Sequence, residues 1–310
     1  MRIATWNVNS LKARMEAVEN WLQRAAPDVL LMQETKLSDP DAPLMAFGML
    51  GYTLVHHGEG RWNGVAIALR EGLIASDVVT NFGDGPVRDS SAGTAADAGE
   101  DDFDPFDEAR MLSVVVGGEL DGRAIERVQV VSLYAPNGRV VDSPFYVGKL
   151  RWFERLRRWL DETRDPGEAL VIGGDFNVAP TPQDVWDERK VHGGTHVSGP
   201  ERDAIANLEA WGLTDAFRLV NPATGRFSWW DYRAGNFHRN EGMRIDLLLA
   251  TAPVAKRVIW AEIDREARKG PPIPSDHAPV AIDLDGPGRP FDAGWAGALA
   301  RIASRTRPRS

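Results

Sequence analysis

The sequence predicts an α/β protein made of two packed β-sheets with helices on their outer faces. Three observations predict it. Many short apolar runs lie between Arg2 and Leu284, with helical stretches interspersed but no regular βαβ alternation, which argues against a doubly wound sheet. Two stretches repeat apolar residues at helical spacing: Leu11, Met15, Val18, Leu22 and Ala25, then Tyr146, Leu150, Phe153, Leu156 and Leu160. Each therefore has one face to bury on a sheet. The third observation is the run Leu170-Val171-Ile172-Gly173-Gly174-Asp175-Phe176-Asn177. Its β-branched residues suit a strand buried on both faces, and its glycines permit a tight turn or a close approach. On extended chain Asp175 and Asn177 would share a face, aiming an acceptor and a donor at one atom.

Taken in order, residues 1–7 alternate as a strand, Asn9-Ser10 caps a helix that starts at Leu11, and Pro27 ends it. Residues 28–33 read as a second strand with Glu34 at its exit, and 52–57 and 64–70 as further strands. Residues 83–109 are rich in Gly, Ala, Ser and Asp with few apolar anchors, and read as a loosely held insertion. Strands resume at 111–116 and 127–134, Pro136-Asn137-Gly138 turns the chain, and the second amphipathic helix follows. Beyond the 170–177 run, 204–211 reads as a helix, and 227–230, 244–250, 258–263 and 278–284 as strands. The expectation is one catalytic domain over 1–284, interrupted by the insertion and followed by a mobile basic tail at 285–310.

A chain of 310 residues with 43% apolar composition can bury a large core. It has no cysteine, which excludes disulfides, a thiol nucleophile and a thiolate metal site. No secretory leader pattern or membrane-length apolar run is visible, so the expectation is a cytoplasmic protein with no membrane partner. The net charge of −9 argues superficially against nucleic acid. Its distribution weakens that objection: residues 83–109 hold nine acidic side chains and one basic, or −8, which leaves −1 for the rest. Residues 286–310 hold five arginines and one aspartate.

Polar residues collect at the ends of separate apolar runs: Asn7, Glu34, Tyr134, Asp175 with Asn177, Asp246, and Asp276-His277. Six such endings, spread from residue 7 to residue 277, point to one convergent site. Carboxylates without cysteine suggest a hard cation. Magnesium prefers oxygen, keeps several waters and often takes only one or two protein carboxylates plus substrate phosphate, and Glu34 is the leading ligand. Asp276-His277 with Asp246 suggests an imidazole whose orientation is fixed by a carboxylate. Ser275 stands in no G-x-S-x-G setting, so a serine hydrolase is the weaker reading.

These residues carry a resemblance. The motifs are Thr5-Trp6-Asn7-Val8-Asn9, Gln33-Glu34-Thr35-Lys36, Tyr134-Ala135-Pro136-Asn137-Gly138, Gly174-Asp175-Phe176-Asn177, Phe227-Ser228-Trp229-Trp230-Asp231-Tyr232, Gly242-Met243-Arg244-Ile245-Asp246 and Ser275-Asp276-His277-Ala278-Pro279. In that order, over about residues 1 to 284, the chain resembles the exonuclease III family of AP endonucleases. The wider superfamily includes DNase I-like nucleases and the inositol-polyphosphate and sphingomyelin phosphodiesterases. The resemblance implies a four-layer α/β sandwich and a Mg²⁺-dependent, or Mn²⁺-dependent, attack of water on the DNA phosphodiester 5′ to an abasic site. It also implies 3′-phosphodiesterase or 3′-to-5′ exonuclease activity, a duplex partner with abasic or 3′-blocked ends, and a monomer.

Carried over by position, Glu34 binds the metal with help from Asn7 and Asp276, the latter supporting the metal or His277. Asp175 positions or deprotonates the water, and Asn7 and Asn177 hydrogen-bond the reacting groups. Tyr134 contacts the phosphate or leaving oxygen, and His277, oriented by Asp246, stabilises charge on the phosphoryl oxygen. Arg110 and Asn137 match positions near the DNA backbone. Trp229, Trp230, Met243 and Ile245 are the expected DNA contacts. Of these, Trp229, Met243 and Ile245 would line an apolar pocket for an extruded abasic deoxyribose, although strand alternation lets one tryptophan of the pair be core. Arg268-Lys269-Gly270 is a further candidate phosphate contact, and 191–200 is the segment in which relatives are expected to differ between abasic incision and 3′ trimming. The rival readings are a small-molecule or lipid phosphodiesterase of the same superfamily and a catalytically silent binder of damaged DNA.

Overall fold

The computed structural model describes residues 1–83, 108–271, 273–298 and 300–302. Among them are β1 (Arg2–Asn7), β2 (Val29–Gln33), β3 (Tyr52–His57), β4 (Val65–Arg70), β5 (Leu73–Thr80), β6 (Met111–Leu120), β7 (Arg123–Tyr134), β8 (Leu170–Asp175), β9 (Leu213–Asp215), β10 (Asp246–Thr251), β11 (Val258–Ile263) and β12 (Val280–Leu284). They make two six-stranded mixed sheets, ordered β11-β12-β1-β2-β4-β3 and β5-β6-β7-β8-β10-β9. Between the sheets lies one apolar cluster to which Ile3, Leu31, Ile67, Val114, Val130, Val171 and Leu248 contribute.

Each outer face is closed by the helices that the spacing predicts. Helix α1 (Leu11–Ala25) sets Val18, Trp21 and Leu22 against Ala4, Trp6, Leu30 and Met32. On the other side α2 (Pro144–Thr163) and α3 (Gly199–Trp211) bury Trp152, Phe153, Leu156, Ile205 and Leu208 over Val131, Leu133 and Ile172. The layers are helix, sheet, sheet, helix. Ser10 caps α1 as its sequence implies, its hydroxyl accepting from Ala13 N.

The register of the second sheet aligns the chemistry. Tyr134 of β7 pairs with Asp175 of β8, and Asp175 with Asp246 of β10, so three polar residues stand in one row across three adjacent strands. Gly173 and Gly174 sit inside β8, not in a turn. A Cβ at Gly173 would meet Leu31 of the facing sheet and Leu248 at 2.6 Å, and one at Gly174 would strike the Leu133 carbonyl. The glycines thus bring the sheets and strands close together, which carries Asp175 to the first sheet.

Several boundaries differ from expectation. β5 was not foreseen: it is an edge strand with only Leu73 buried, so it lacks an apolar run. β6 and β7 extend to a hairpin whose Asp121 and Gly122 have φ of 50° and 77°, the left-handed pair of a two-residue turn. Residues 227–230 are no strand. Trp229 makes only isolated bridges to Met243 and His277, and Ser228 Oγ accepts from the backbone N–H groups of Ile245 and Asp246.

Residues 84–107, nearly all of the acidic insertion, lie outside the described residues, as do Arg305, Arg307 and Arg309. The beginning of the 285–310 tail packs on the domain instead of leaving it. Phe291 meets Trp21 and Trp260 edge-on, and Trp295 is buried with its indole N–H donating to the Ile263 carbonyl at 2.7 Å. Among the described residues, no helix is long and apolar enough to cross a membrane.

Candidate active site

Six of the polar strand ends converge where the two sheets abut. Asn7, the last residue of β1, bridges them: its Nδ2 donates to Glu34 Oε1 and to Asp175 Oδ2, both at 2.9 Å. Its Oδ1 accepts from Asn9 N. Asn7 thus offers both amide hydrogens to the two carboxylates, and its oxygen, which accepts one hydrogen bond from Asn9 N, keeps a second lone pair. Glu34 follows β2 with φ +52°, a left-handed turn that swings its carboxylate towards the mouth. Its Oε2 lies 2.9 Å from Lys36 Nζ, which also donates to Asn9 Oδ1 at 2.7 Å.

Asp175 and His277 make the buried centre. Asp175 Oδ1 accepts from Asn177 N at 2.9 Å, and His277 Nε2 stands 3.7 Å from Asp175 Oδ2. On its other side His277 Nδ1 lies 2.8 Å from Asp246 Oδ2. Burial alone would strip the imidazole of its proton. The carboxylates of Asp246 and Asp175 outweigh it and push the His277 pKa up to about 10, so it is an imidazolium at neutral pH. Burial raises Asp175 to about 7, partly offset by His277 and reinforced by Asp246. A buried acid that titrates near neutrality is suited to taking a proton. The ligand atoms of Asp175, Asp246 and His277 lie within 4.8 Å of one another, so the trio could enclose a cation. With His277 protonated, the positive charge it encloses is a proton. Asp246 Oδ1 is buried without a hydrogen-bond partner.

Tyr134 lies beside Glu34. Burial first, then the Glu34 carboxylate, hold its pKa well above the ordinary phenol value, so it remains a hydrogen donor. Arg110 is buried, bonds Glu108 at 2.6 Å and the Tyr134 carbonyl at 3.2 Å, and stacks 4.8 Å from the Tyr134 ring. It steadies that ring, which corrects the expectation of a DNA-backbone contact. Asn177 has φ +53°, so the strand ends at Asp175 and the shared-face geometry does not hold. Its side chain donates to the Ala135 carbonyl and accepts from Asn137 Nδ2 at 3.0 Å, tying the exposed Asn137 loop to β8.

Asp276 accepts from Asn9 Nδ2 at 2.9 Å and from Trp229 Nε1 at 3.1 Å, and thereby links the Glu34 side of the site to the apolar side. There Trp229 and Met243, half-buried, pack with Ile245, Val185 and Val197. Trp230 is fully buried, its indole N–H donating to Asn240 Oδ1 at 3.2 Å, so the expectation that it touches DNA is corrected: it is the core member of the pair. Arg268 is also buried and stacks on Tyr232 and Phe237, leaving Lys269 as the exposed cation of that loop.

Sequence reasoning missed three participants. His196, with φ +75°, donates from Nδ1 to the Asn177 carbonyl, and its ring lies 6.3 Å from that of Trp229. Burial, with Lys149 nearby, lowers its pKa to about 4, so it is neutral and Nε2 is an acceptor. Lys149 and Glu201 form a fully buried ion pair; Lys149 Nζ donates to the Asn177 carbonyl at 2.7 Å and Glu201 receives His196 N at 3.0 Å. The Ser198-x-x-Glu201 capping box was the available signal for Glu201.

Comparisons with known proteins bear on the family and the fold. The profile of the Endonuclease/Exonuclease/phosphatase family matches residues 4–277. The 3′ phosphatase NExo from Neisseria, solved with a product DNA hairpin, is 36% identical with a TM-score of 0.75, covering 92% of this chain and 100% of that one. An AP endonuclease structure from Archaeoglobus fulgidus is 33% identical with a TM-score of 0.76 and the same coverage. Exodeoxyribonuclease III of Haemophilus influenzae is 29% identical over 291 residues, 90% of this chain and 98% of that protein.

Proposed function

The chain belongs to the endonuclease/exonuclease/phosphatase family, and from that premise we propose that it is a metal-dependent DNA repair nuclease. It hydrolyses the phosphodiester 5′ to abasic sites in duplex DNA and removes 3′-blocking groups as a 3′-phosphodiesterase or 3′-to-5′ exonuclease. The observation that carries this reading is a buried acid titrating near neutrality, 3.7 Å from a buried imidazolium. A phosphoryl group placed against this pair finds a proton acceptor and a fixed positive donor side by side.

Glu34 fits a hard cation. Its carboxylate is less buried than those of Asp175 and Asp246, and an ammonium already lies against it and Asn9 Oδ1, so these oxygens accommodate positive charge. Mg²⁺, or Mn²⁺ in its place, would sit at Glu34 with waters and substrate phosphate, neutralising charge on the phosphoryl oxygens. Asp276 stands behind Asn9 as a support for that side.

The remaining work belongs to side chains. Asp175, aligned by Asn7 Nδ2 and Asn177 N, orients a water and accepts its proton as the new P–O bond forms. His277, held by Asp246, donates to a non-bridging oxygen whose charge grows in the transition state. Tyr134 keeps its proton and steadies the phosphate or the departing alkoxide. In this reading the protein is a monomer that acts on duplex DNA in the cytoplasm.

A second reading, in which 3′-end processing outweighs abasic incision, is favoured by His196. Its ring borders Trp229, the wall against which an extruded deoxyribose would press, and two hydrogen bonds fix it there. A terminal nucleotide reaches the phosphate site without entering that pocket. His196→Gly is therefore expected to raise abasic incision relative to 3′-phosphate removal by about tenfold, the order of a small steric change in an apolar pocket. Trp229→Ala is expected to damage incision more than trimming. The assay compares an abasic duplex, a 3′-phosphorylated duplex, an inositol polyphosphate and sphingomyelin, with and without EDTA. EDTA-sensitive turnover of a non-DNA substrate alone would remove the nuclease reading, and binding of damaged duplex without turnover would favour the silent binder.

A further inference from the structure

The segment that leaves β2 is held in an uncommon shape. Glu34 and Lys36 both have left-handed backbone, with φ of 52° and 53°, and Thr35 between them is fully buried. Non-glycine residues adopt this conformation only where their surroundings over-determine it. Backbone bonds supply part of the hold: Thr35 N donates to the Gly64 carbonyl at 3.1 Å and Lys36 N to the Asn63 carbonyl at 3.0 Å. A side-chain chain supplies the rest. Thr35 Oγ1 lies 2.8 Å from His56 Nε2, and His56 Nδ1 lies 2.7 Å from Asp39 Oδ1, which also accepts from Gly58 N at 2.8 Å.

The proton positions follow from the partners. A carboxylate only accepts, so His56 carries its hydrogen on Nδ1, and Nε2 must accept from the threonine hydroxyl. Burial lowers the His56 pKa, in keeping with this neutral tautomer. The space is tight, since a Cβ at Gly64 would strike Thr35 Oγ1 and one at Gly58 would come within 2.5 Å of the His56 ring. The hydroxyl therefore has one orientation, and β3, through His56, braces the residue next to Glu34.

We propose that Asp39, His56 and Thr35 form a positioning chain that holds the Glu34 carboxylate in its cation-binding pose, so that His56, touching neither DNA nor metal, sets the divalent-ion affinity of the site. This rests on the reading of Glu34 given above. Partners bonded directly to a ligand commonly change metal affinity by about 10- to 100-fold; this chain acts one step further off, through the backbone between Thr35 and Glu34, so the low end of that range is expected.

The test measures Mn²⁺ binding to the whole protein without DNA, from the electron paramagnetic resonance signal of the free ion, beside thermal unfolding. His56→Leu is expected to weaken Mn²⁺ binding by about tenfold and to raise the Mg²⁺ needed for half-maximal turnover, with kcat at saturating Mg²⁺ unchanged. His56→Gln, whose amide can donate to Asp39 and accept from Thr35, is expected to recover most of the loss. If His56→Leu does not fold, Thr35→Val removes the same link and is expected to weaken binding likewise. Glu34→Gln separates the two claims. If it binds Mn²⁺ as the wild type does, the metal reading of Glu34 fails. If it loses binding while folded His56→Leu or Thr35→Val binds normally, the positioning chain is overturned.

Discussion

Asp175→Asn is expected to lower kcat by about 10²- to 10⁴-fold, the range of a positioned general base, while duplex binding stays near that of the wild type. The carboxamide keeps an oxygen for Asn177 N but accepts no proton from water. Stability should fall only modestly, because the substitution removes a buried charge but sets an amide N–H against Asn7 Nδ2, which donates to Asp175 Oδ2 in the wild type. Single-turnover rates, a binding isotherm and thermal unfolding check the three statements together. A folded variant with unchanged kcat would remove Asp175 from the base role.

The second large effect is expected at His277. His277→Ala removes the imidazolium proposed to put a fixed positive charge beside the phosphoryl oxygen, and a loss of about 10²- to 10³-fold in kcat is expected. It also leaves Asp175 and Asp246, register partners on β8 and β10, without the imidazolium between them. One of the two should then hold a proton at neutral pH, which disables the base as well. The double variant Asp175→Asn/His277→Ala is therefore expected to lose little more than the worse single variant, since the two groups act as a unit. Simple multiplication of the two losses would show independent roles.

Much of this site was legible because its members stand where apolar runs stop. Asn7, Tyr134 and Asp175 end strands, Glu34 follows one and Asp246 begins one, and strand ends of two packed sheets meet at a common edge. What escaped notice depends on tertiary contacts. Trp229 and Trp230 look equivalent in sequence, yet one bonds Asp276 and the other Asn240. Asn177 reads as a partner of Asp175 on extended chain, but left-handed backbone turns its amide to Ala135. Lys149 sits in an amphipathic helix like any solvated lysine, and only the fold sets it against Glu201 and the Asn177 carbonyl. His196 follows two glycines and a threonine with no periodic signal, so nothing local marked it as the neighbour of Trp229. The arginines after Asp285 suggested a free tail, whereas Phe291 and Trp295 in the same stretch are the anchors that hold its beginning down.

The most direct test is the pH dependence of kcat for 3′-phosphate removal at saturating Mg²⁺, in the wild type and in Asp175→Asn. Asp175 accepts a proton only when ionised, so the wild-type rate should fall as pH drops through its pKa of about 7, displaced to lower pH by a bound cation. His277 acts only when protonated, so the rate should fall again as pH rises through about 10. The residual activity of Asp175→Asn should lack the acid limb and keep an alkaline one, moved to lower pH because one of the carboxylates that hold the His277 proton is gone. An acid limb that persists unchanged in the folded variant would contradict the account, because the proton would then be taken up by a group other than Asp175.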